Sequence, residues 1–281
     1  MADAIPFVLV REAADRWLAR QVRNDELRPK TLAWCRRWHA EVLARLGDRR
    51  IADLTVDELE DASRVETWSR STRRGFVDVA LACLKLGGWE QDRKVKKPRK
   101  ASAGAKKVIT EPQHLQVLGR AKGDFREFVR VLWELGCRPG ELAQISAELV
   151  NWRDAIAILT DHKTAEATGR PRTLYFTDRA MGVLLDQKKK YGSGLLFRDD
   201  NGNAFGDQVI VKRFLRIADS LGFAVTAYSY RHTFITRALL AGIATAQIAE
   251  LTGTSITMIA KNYGHLEARP GLMRDVITKL C

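Results

Sequence analysis

Cysteine is scarce in this sequence: four residues in 281, at Cys35, Cys83, Cys137 and Cys281, with no CxxC spacing and no histidine cluster beside them. A zinc finger, a redox dithiol motif and a disulfide-stapled fold are thereby excluded. Long apolar runs are missing as well. Stretches such as Phe7-Val8-Leu9-Val10 fall far short of the ~20 residues that a membrane span requires. The opening residues carry no basic region ahead of an apolar stretch, so no secretory signal is expected and a cytoplasmic location follows. Acidic side chains are the minority, 34 against 47 basic ones, which leaves a formal charge of +13. With 46% apolar and 29% charged residues the chain has ordinary globular composition, enough for one large domain or two smaller ones. The expectation is a soluble protein with an anionic partner.

The placement of the charge is more informative than its total. Residues 1–92 hold 16 basic and 16 acidic side chains, whereas residues 93–107 (RKVKKPRKASAGAKK) hold eight basic and no acidic ones. That stretch contains Pro98 and Gly104 and few apolar groups, so it reads as an exposed linker between two folded blocks. Its cations, Arg93, Lys94, Lys96, Lys97, Arg99, Lys100, Lys106 and Lys107, suit a strand of phosphates, because each one placed on a phosphate releases condensed counterions. A merely solvated linker or a localisation signal has the same composition.

Residues 1–92 read as a helical bundle. Val10, Ala13, Ala14, Trp17 and Leu18 share one helical face, and Leu32, Cys35, Trp38, Val42, Leu43 and Leu46 share another. Pro29 suits a first turn and Gly47 a C-cap. Thr55-Val56-Asp57-Glu58 has capping-box spacing. A fourth helix is expected from about Ser71 to Leu86, with Phe76, Val79, Ala80, Cys83 and Leu84 inward. The tryptophans of this block are read as core rather than as base-stacking groups. Residues 108–281 mix types: helices opening at Thr110 and Phe125, strands at 154–159 and 172–176, then helices at about 178–190, 208–221, 229–241, 245–252 and 255–263. A last amphipathic stretch runs from Gly271 to Leu280. The expected fold class is mainly α with a small β-sheet.

Three fragments of the second block stand out as a set. Leu135-Gly136-Cys137-Arg138-Pro139-Gly140-Glu141-Leu142 fixes an arginine between a helix-ending glycine and a helix-starting proline. Tyr228-Ser229-Tyr230-Arg231-His232-Thr233-Phe234 opens a helix. Leu251-Thr252-Gly253-Thr254-Ser255 is followed by Asn262-Tyr263-Gly264-His265. In order and spacing this set resembles the tyrosine recombinase (phage integrase) family, whose members carry an Arg in a GxRxxEL context, an HxxRH box, an LGHS-like turn and a nucleophilic Tyr about nine residues on. Asp161-His162-Lys163-Thr164, between the two expected strands, is similar to the family's β-hairpin lysine. The resemblance covers roughly residues 108–281. The front block and linker are similar to the family's helical core-binding domain, without a sharp motif.

The resemblance implies a site made of Arg138, Lys163, Tyr228, Arg231, Thr254 and Tyr263, working without metal or cofactor. Fixed guanidinium groups at Arg138 and Arg231 would stabilise charge that builds on a phosphodiester under attack. Tyr263 would be the nucleophile and Lys163 the acid that protonates the leaving 5′-oxygen. Tyr228 and Thr254 depart from the family's usual histidines. Tyr228 keeps a hydroxyl but is a poor base near neutral pH, and Thr254 keeps a donor without an imidazole. His232, one residue from Arg231 on a helix, is expected to point about 100° away and to pack or bond a carbonyl. His265 is read as a DNA contact or structural residue, and Lys261 and Arg269 as phosphate contacts or solvated charge. Each fragment alone has a plainer reading: Arg-Pro-Gly-Glu as a helix start with Glu141 on the dipole, the RHTF string as a surface helix, a late tyrosine as packing.

The organisation that follows is a helical core-type DNA-binding domain at 1–92, a basic linker at 93–107 and a mixed α/β catalytic domain at 108–281. The first helix is expected so early that no further arm-site domain would precede it. By resemblance the partner is double-stranded DNA at specific recombination sites, the assembly on synapsed DNA a homotetramer, and no membrane is involved. A type IB-like topoisomerase and a catalytically silent DNA-binding regulator are the competing readings. The 271–280 stripe (Leu272, Met273, Val276, Ile277, Leu280) is expected to dock on a neighbouring protomer or to fold back on its own domain.

Overall fold

A computed structural model describes residues 9–25, 27–99, 108–160, 171–267 and 278. The loop that carries Lys163, the linker cations Lys100, Lys106 and Lys107, and every residue of the 271–280 stripe lie outside the described residues. The chain divides into two compact units, Met1–Gly104 and Ala105–Cys281.

The regular elements of the first unit are helices: α1 (Val10–Val22), α2 (Pro29–Leu46), a 3-10 turn (Ile51–Asp53), α3 (Val56–Ala62) and α4 (Arg70–Leu86). The inward stripes meet as expected, with Ala13, Val42, Leu59, Phe76, Ala80 and Leu84 sealed from solvent. Thr55 caps α3 reciprocally: its hydroxyl accepts from Glu58 N at 3.2 Å, and the Glu58 carboxylate accepts from Thr55 N at 3.0 Å. Trp38 and Trp68 pack edge to face with centroids 5.6 Å apart, so these two belong to the core, whereas Trp34 is 46% exposed.

The start of the basic stretch is not a free linker. Arg93 pairs with Asp57 at 2.7 Å, Lys97 with Asp78 at 2.7 Å, and Glu60 accepts from Lys96 N at 2.8 Å. Arg74 donates to Pro98 O at 3.1 Å, and Val95 leans on the bundle core. The carboxylates of α3 and α4 thus hold residues 93–98 against the bundle. Lys94, Lys96 and Arg99 are exposed and make no ion pair among the described residues.

The second unit wraps a larger core around α6 (Gly123–Leu135), which follows α5 (Glu111–Arg120) and precedes the short α7 (Pro139–Ala143). Phe125, Phe128, Val129, Val131 and Leu132 of α6 are buried against α8 (Asp178–Tyr191), α9 (Asp207–Leu221) and α10 (Ala227–Leu240). A three-stranded antiparallel sheet in the order β1-β2-β3 lies between α7 and α8: β1 (Val150–Asn151), β2 (Ile156–Leu159) and β3 (Arg172–Tyr175). The register sets Ala157 opposite Leu174 and Leu159 opposite Arg172, and all four face inward. β1 was not expected, since two residues give no alternation to read. The expected strand 154–159 starts only at Ile156, because the turn before it places Ala155 at a left-handed φ of 52°.

The chain ends its described part with α11 (Thr245–Thr252) and α12 (Ile256–Glu267). Ile235 and Leu239 of α10, Ile248 and Ala249 of α11, and Ile259 and Tyr263 of α12 form a small second core. Mainly α with a small sheet is therefore the fold class. Among the described residues no helix is long and apolar enough to cross a membrane.

Asp124, in the first turn of α6, fixes the far end of α8. Its buried carboxylate accepts from Lys190 Nζ at 2.7 Å, Tyr191 Oη at 2.6 Å and Arg198 N at 3.1 Å. Burial works against its charge, but these donors outweigh burial and hold the carboxyl below its ordinary range. A lowered folded pKa contributes stability above the unfolded value, and that contribution fades as pH falls through the folded one. Asp124→Asn is expected to cost about 2 kcal/mol at neutral pH. In urea melts the gap to the parent should close below about pH 4.

Candidate active site

α6 ends at Gly136, whose φ of 58° turns the chain sharply. A Cβ there would sit 2.3 Å from Phe234 Cγ, so only glycine lets the end of α6 come this close to α10. The turn delivers Arg138 as the N-cap of α7, and Pro139 follows it in the first turn. The guanidinium folds back, with Nη1 donating to Glu141 Oε1 at 2.6 Å and Nη2 donating to Gly253 O. Glu141 also accepts from Arg138 N at 3.1 Å and is itself buried.

Arg231 arises from the second turn of α10 and is buried. Its Nη1 donates to Gly136 O at 3.2 Å and to Thr252 O. Burial first, and then the neighbouring Arg138 charge, lower its pKa. The short connection between α11 and α12 is built for this contact. Gly253 takes a φ of 66°, Thr254 N donates to Ala249 O at 3.0 Å, and Ser255 Oγ accepts from Met258 N at 3.2 Å to start α12. Thr254 is therefore held by its backbone one residue beyond the carbonyl that Arg138 grips.

Tyr263, two turns into α12, is 4% exposed and packs in the small second core. Its hydroxyl is hydrogen-bonded to His232 Nδ1. Burial raises the phenol to about 12, and the nearby Arg231 charge opposes the rise. Successive residues of α10 thus face three ways: Tyr230 into the large core, Arg231 to the arginine cluster and His232 to the phenol. Tyr228, half a turn earlier, is 52% exposed at the mouth of a mainly apolar cavity of about 280 Å³ lined by Pro139, Val211, Phe214 and Leu215.

Of the six site residues read from the sequence, the structure gathers Arg138, Arg231 and Tyr263 with the backbone of Thr254. It places Tyr228 at the open edge, and Lys163 lies outside the described residues. Three further residues enter. Glu141 braces Arg138 rather than only favouring a helix dipole. His232 Nδ1 meets Tyr263, because α12 crosses α10 at that turn. Arg172 was read only as part of a strand. A charged residue at an inward position of β3, in phase with Leu174, was its signal in the sequence. No group of three or more His, Cys, Asp and Glu suited to a metal ion occurs among the described residues.

The phage integrase family model matches residues 107–269. The chain belongs to that family. It is a tyrosine-type DNA strand-exchange enzyme by membership. No curated protein matches the sequence. Among solved structures, the Tn1549 transposon integrase in complex with a circular intermediate DNA superposes with a TM-score of 0.77 at 16% identity, over 98% of this chain and 100% of that one. A lambda integrase dimer bound to a COC′ core site gives 0.73 at 15% identity, over 91% and 77%. A lambda integrase tetramer on a Holliday junction gives 0.72 at 15% identity, over 90% and 80%. At these identities the likeness establishes the fold.

A phenol raised by burial favours the folded state below its unfolded pKa, and this contribution is lost as pH climbs toward the folded value. The integrase should therefore lose stability between about pH 10 and pH 12 partly through Tyr263. Tyr263→Phe, which has nothing to ionise, is expected to lose less over the same range in urea denaturation.

Proposed function

We propose that this integrase cleaves and rejoins duplex DNA at specific sites through a 3′-phosphotyrosyl link on Tyr263. The observation that carries the reading is the hydrogen bond between Tyr263 Oη and His232 Nδ1, on the helix turn that also presents Arg231. In the reaction the phenol proton passes to His232 Nδ1 as Tyr263 Oη attacks phosphorus, and the bond from phosphorus to the 5′-oxygen breaks. Lys163 is proposed as the donor that protonates that oxygen. Arg138 and Arg231 stabilise the charge on the nonbridging oxygens, and Tyr228 and Thr254 offer hydroxyl donors at the edge of the same site. Rejoining reverses these transfers, and the phosphotyrosyl bond conserves the energy of the phosphodiester.

Duplex DNA held by the basic stretch and exchanged within a homotetramer completes the proposal. The solved lambda integrase tetramer on a Holliday junction supports such an assembly by analogy of fold. The test begins with a pool of nicked duplexes with randomised arms, from which covalent adducts are recovered on denaturing gels. The parent should form adducts and Tyr263→Phe none, while DNA binding persists in both. His232→Ala should slow adduct formation by about 100-fold. Binding without any adduct would instead identify a silent DNA-binding regulator, and relaxation of a single supercoiled circle without exchange a topoisomerase.

The unpaired cations of the basic stretch give a separate expectation. Changing Lys94 and Arg99 together to Gln should reduce the slope of log affinity against log salt by about 2, with the cleavage rate of bound DNA unchanged. An unchanged slope would show that neither cation meets phosphate.

A further inference from the structure

Four successive carbonyls at the end of α11 are taken by three arginines from three different elements. Arg172 of β3 donates to Glu250 O and, at 2.6 Å, to Leu251 O; Arg231 of α10 donates to Thr252 O; Arg138 at the start of α7 donates to Gly253 O. A helix C-terminus presents carbonyls with lone pairs to spare and the negative end of its dipole; of these four, Glu250 O also accepts from Gly253 N at 3.2 Å. Two of the three arginines are the clamp of the proposed reaction. The third is unlike them. Its side chain is 5% exposed, so it is walled off from any substrate, and its third bond, to Thr173 O at 2.8 Å, stays within its own strand.

Arg172 is also tied to the clamp from below. Its Nε lies 3.6 Å from Glu141 Oε2, the carboxylate whose other oxygen grips Arg138 at 2.6 Å. No hydrogen-bond acceptor meets that Nε. A Cβ on Gly253 would stand 2.6 Å from the same Nε, and φ at Gly253 is 66°. The glycine of the turn is therefore required by Arg172 as well as by the turn. With Glu250 and Leu251 taken, the carbonyls of Thr252 and Gly253 are the next in line for Arg231 and Arg138.

We propose that Arg172 is a positioning residue for DNA cleavage: it fixes the α11 C-terminus and Glu141 so that Arg138 and Arg231 are held at the phosphate-binding geometry before DNA arrives. The inference rests on the catalytic reading of Arg138, Arg231 and Tyr263. A lysine at 172 would keep the charge but offer no planar fork to span two carbonyls and a carboxylate. The clamp would then be looser while the DNA-facing surface stays as it is.

The test compares the parent with Arg172→Lys on a nicked duplex recovered from the adduct selection. Folding is followed by thermal melting, affinity by filter binding, and chemistry by single-turnover adduct formation at saturating DNA. Arg172→Lys is expected to bind DNA within about twofold of the parent and to cleave at least about 10-fold more slowly, since only transition-state interactions are lost. A duplex with sulfur at the bridging 5′ position, whose thiolate leaves without a proton, should not restore the rate. Gly253→Ala should reproduce the defect, and adding it to Arg172→Lys should cost less than the product of the two.

Cleavage by folded Arg172→Lys at the parental rate would overturn the proposal. So would rescue by the 5′-sulfur substrate, which would move the role of Arg172 to the leaving-group proton. If Arg172→Lys melts below the assay temperature, Gly253→Ala carries the test, and full-rate cleavage by folded Gly253→Ala overturns it. A parent that forms no adduct from any substrate would instead overturn the catalytic reading, and the proposal with it.

Discussion

The second unit of this integrase depends on one electrostatic arrangement: guanidinium groups gathered around the C-terminal turn of α11. Three buried or half-buried cations so close together repel one another, and the lowered pKa of Arg231 records both that repulsion and its burial. The protein offsets this with groups that cannot dissociate from the site. Glu141 supplies one full negative charge, and the carbonyls of residues 250–253 supply the negative end of a helix. Protein groups alone therefore fix the three guanidinium groups, and the proposed reaction would draw on that preorganisation.

Close backbone approach is the second condition. Gly136 lets α6 reach Phe234 of α10, and Gly253 lets the α11 turn lie over Arg172. Both have left-handed φ values, so each is needed twice over, for its conformation and for its missing side chain. α10 then works as a shared wall. Tyr230 anchors it in the large core, its hydroxyl 3.2 Å from His114 Nδ1, while Ile235 and Leu239 build the small core that holds Tyr263. Arg231 and His232 sit between two packed faces and gain their orientation from both.

Much of this was legible in the sequence, for reasons that differ by element. The helices of the first unit announced themselves by stripes and caps, such as Phe76 to Leu84 and the Thr55–Glu58 pair. Arg138, Arg231 and Tyr263 could be singled out because they lie in short fragments of fixed spacing, whereas Arg172 could not. What could not be read depends on contacts distant along the chain. The meeting of His232 with Tyr263 requires the crossing of α10 and α12, 31 residues apart. Helical geometry alone places the side chains of Arg231 and His232 about 100° apart, and only the fold puts a partner on each side. The early part of the basic stretch shows the same lesson with charge: its cations read as free, but Asp57 and Glu60 lie beside Arg93, and Asp78 pairs with Lys97.

The two departures from the family's histidines at Tyr228 and Thr254 bear on the route of the proton. Neither side chain is basic near neutral pH, and the phenol of Tyr263 is harder to ionise than a free one because it is buried. As the proposed nucleophile, a phenol in that setting would need an acceptor at the moment of attack rather than a standing negative charge. Among the described residues the imidazole within hydrogen-bonding distance of that phenol is His232. In the proposed reaction it therefore does work that would otherwise fall to imidazoles at 228 and 254. The charge of its neighbour on the chain, Arg231, opposes the rise in the phenol's pKa, so in that reaction the base and the cation would reach Tyr263 from one turn of one helix. In the proposed reaction proton transfer and charge stabilisation would both depend on the placement of α10, because Arg231 and His232 are adjacent on it.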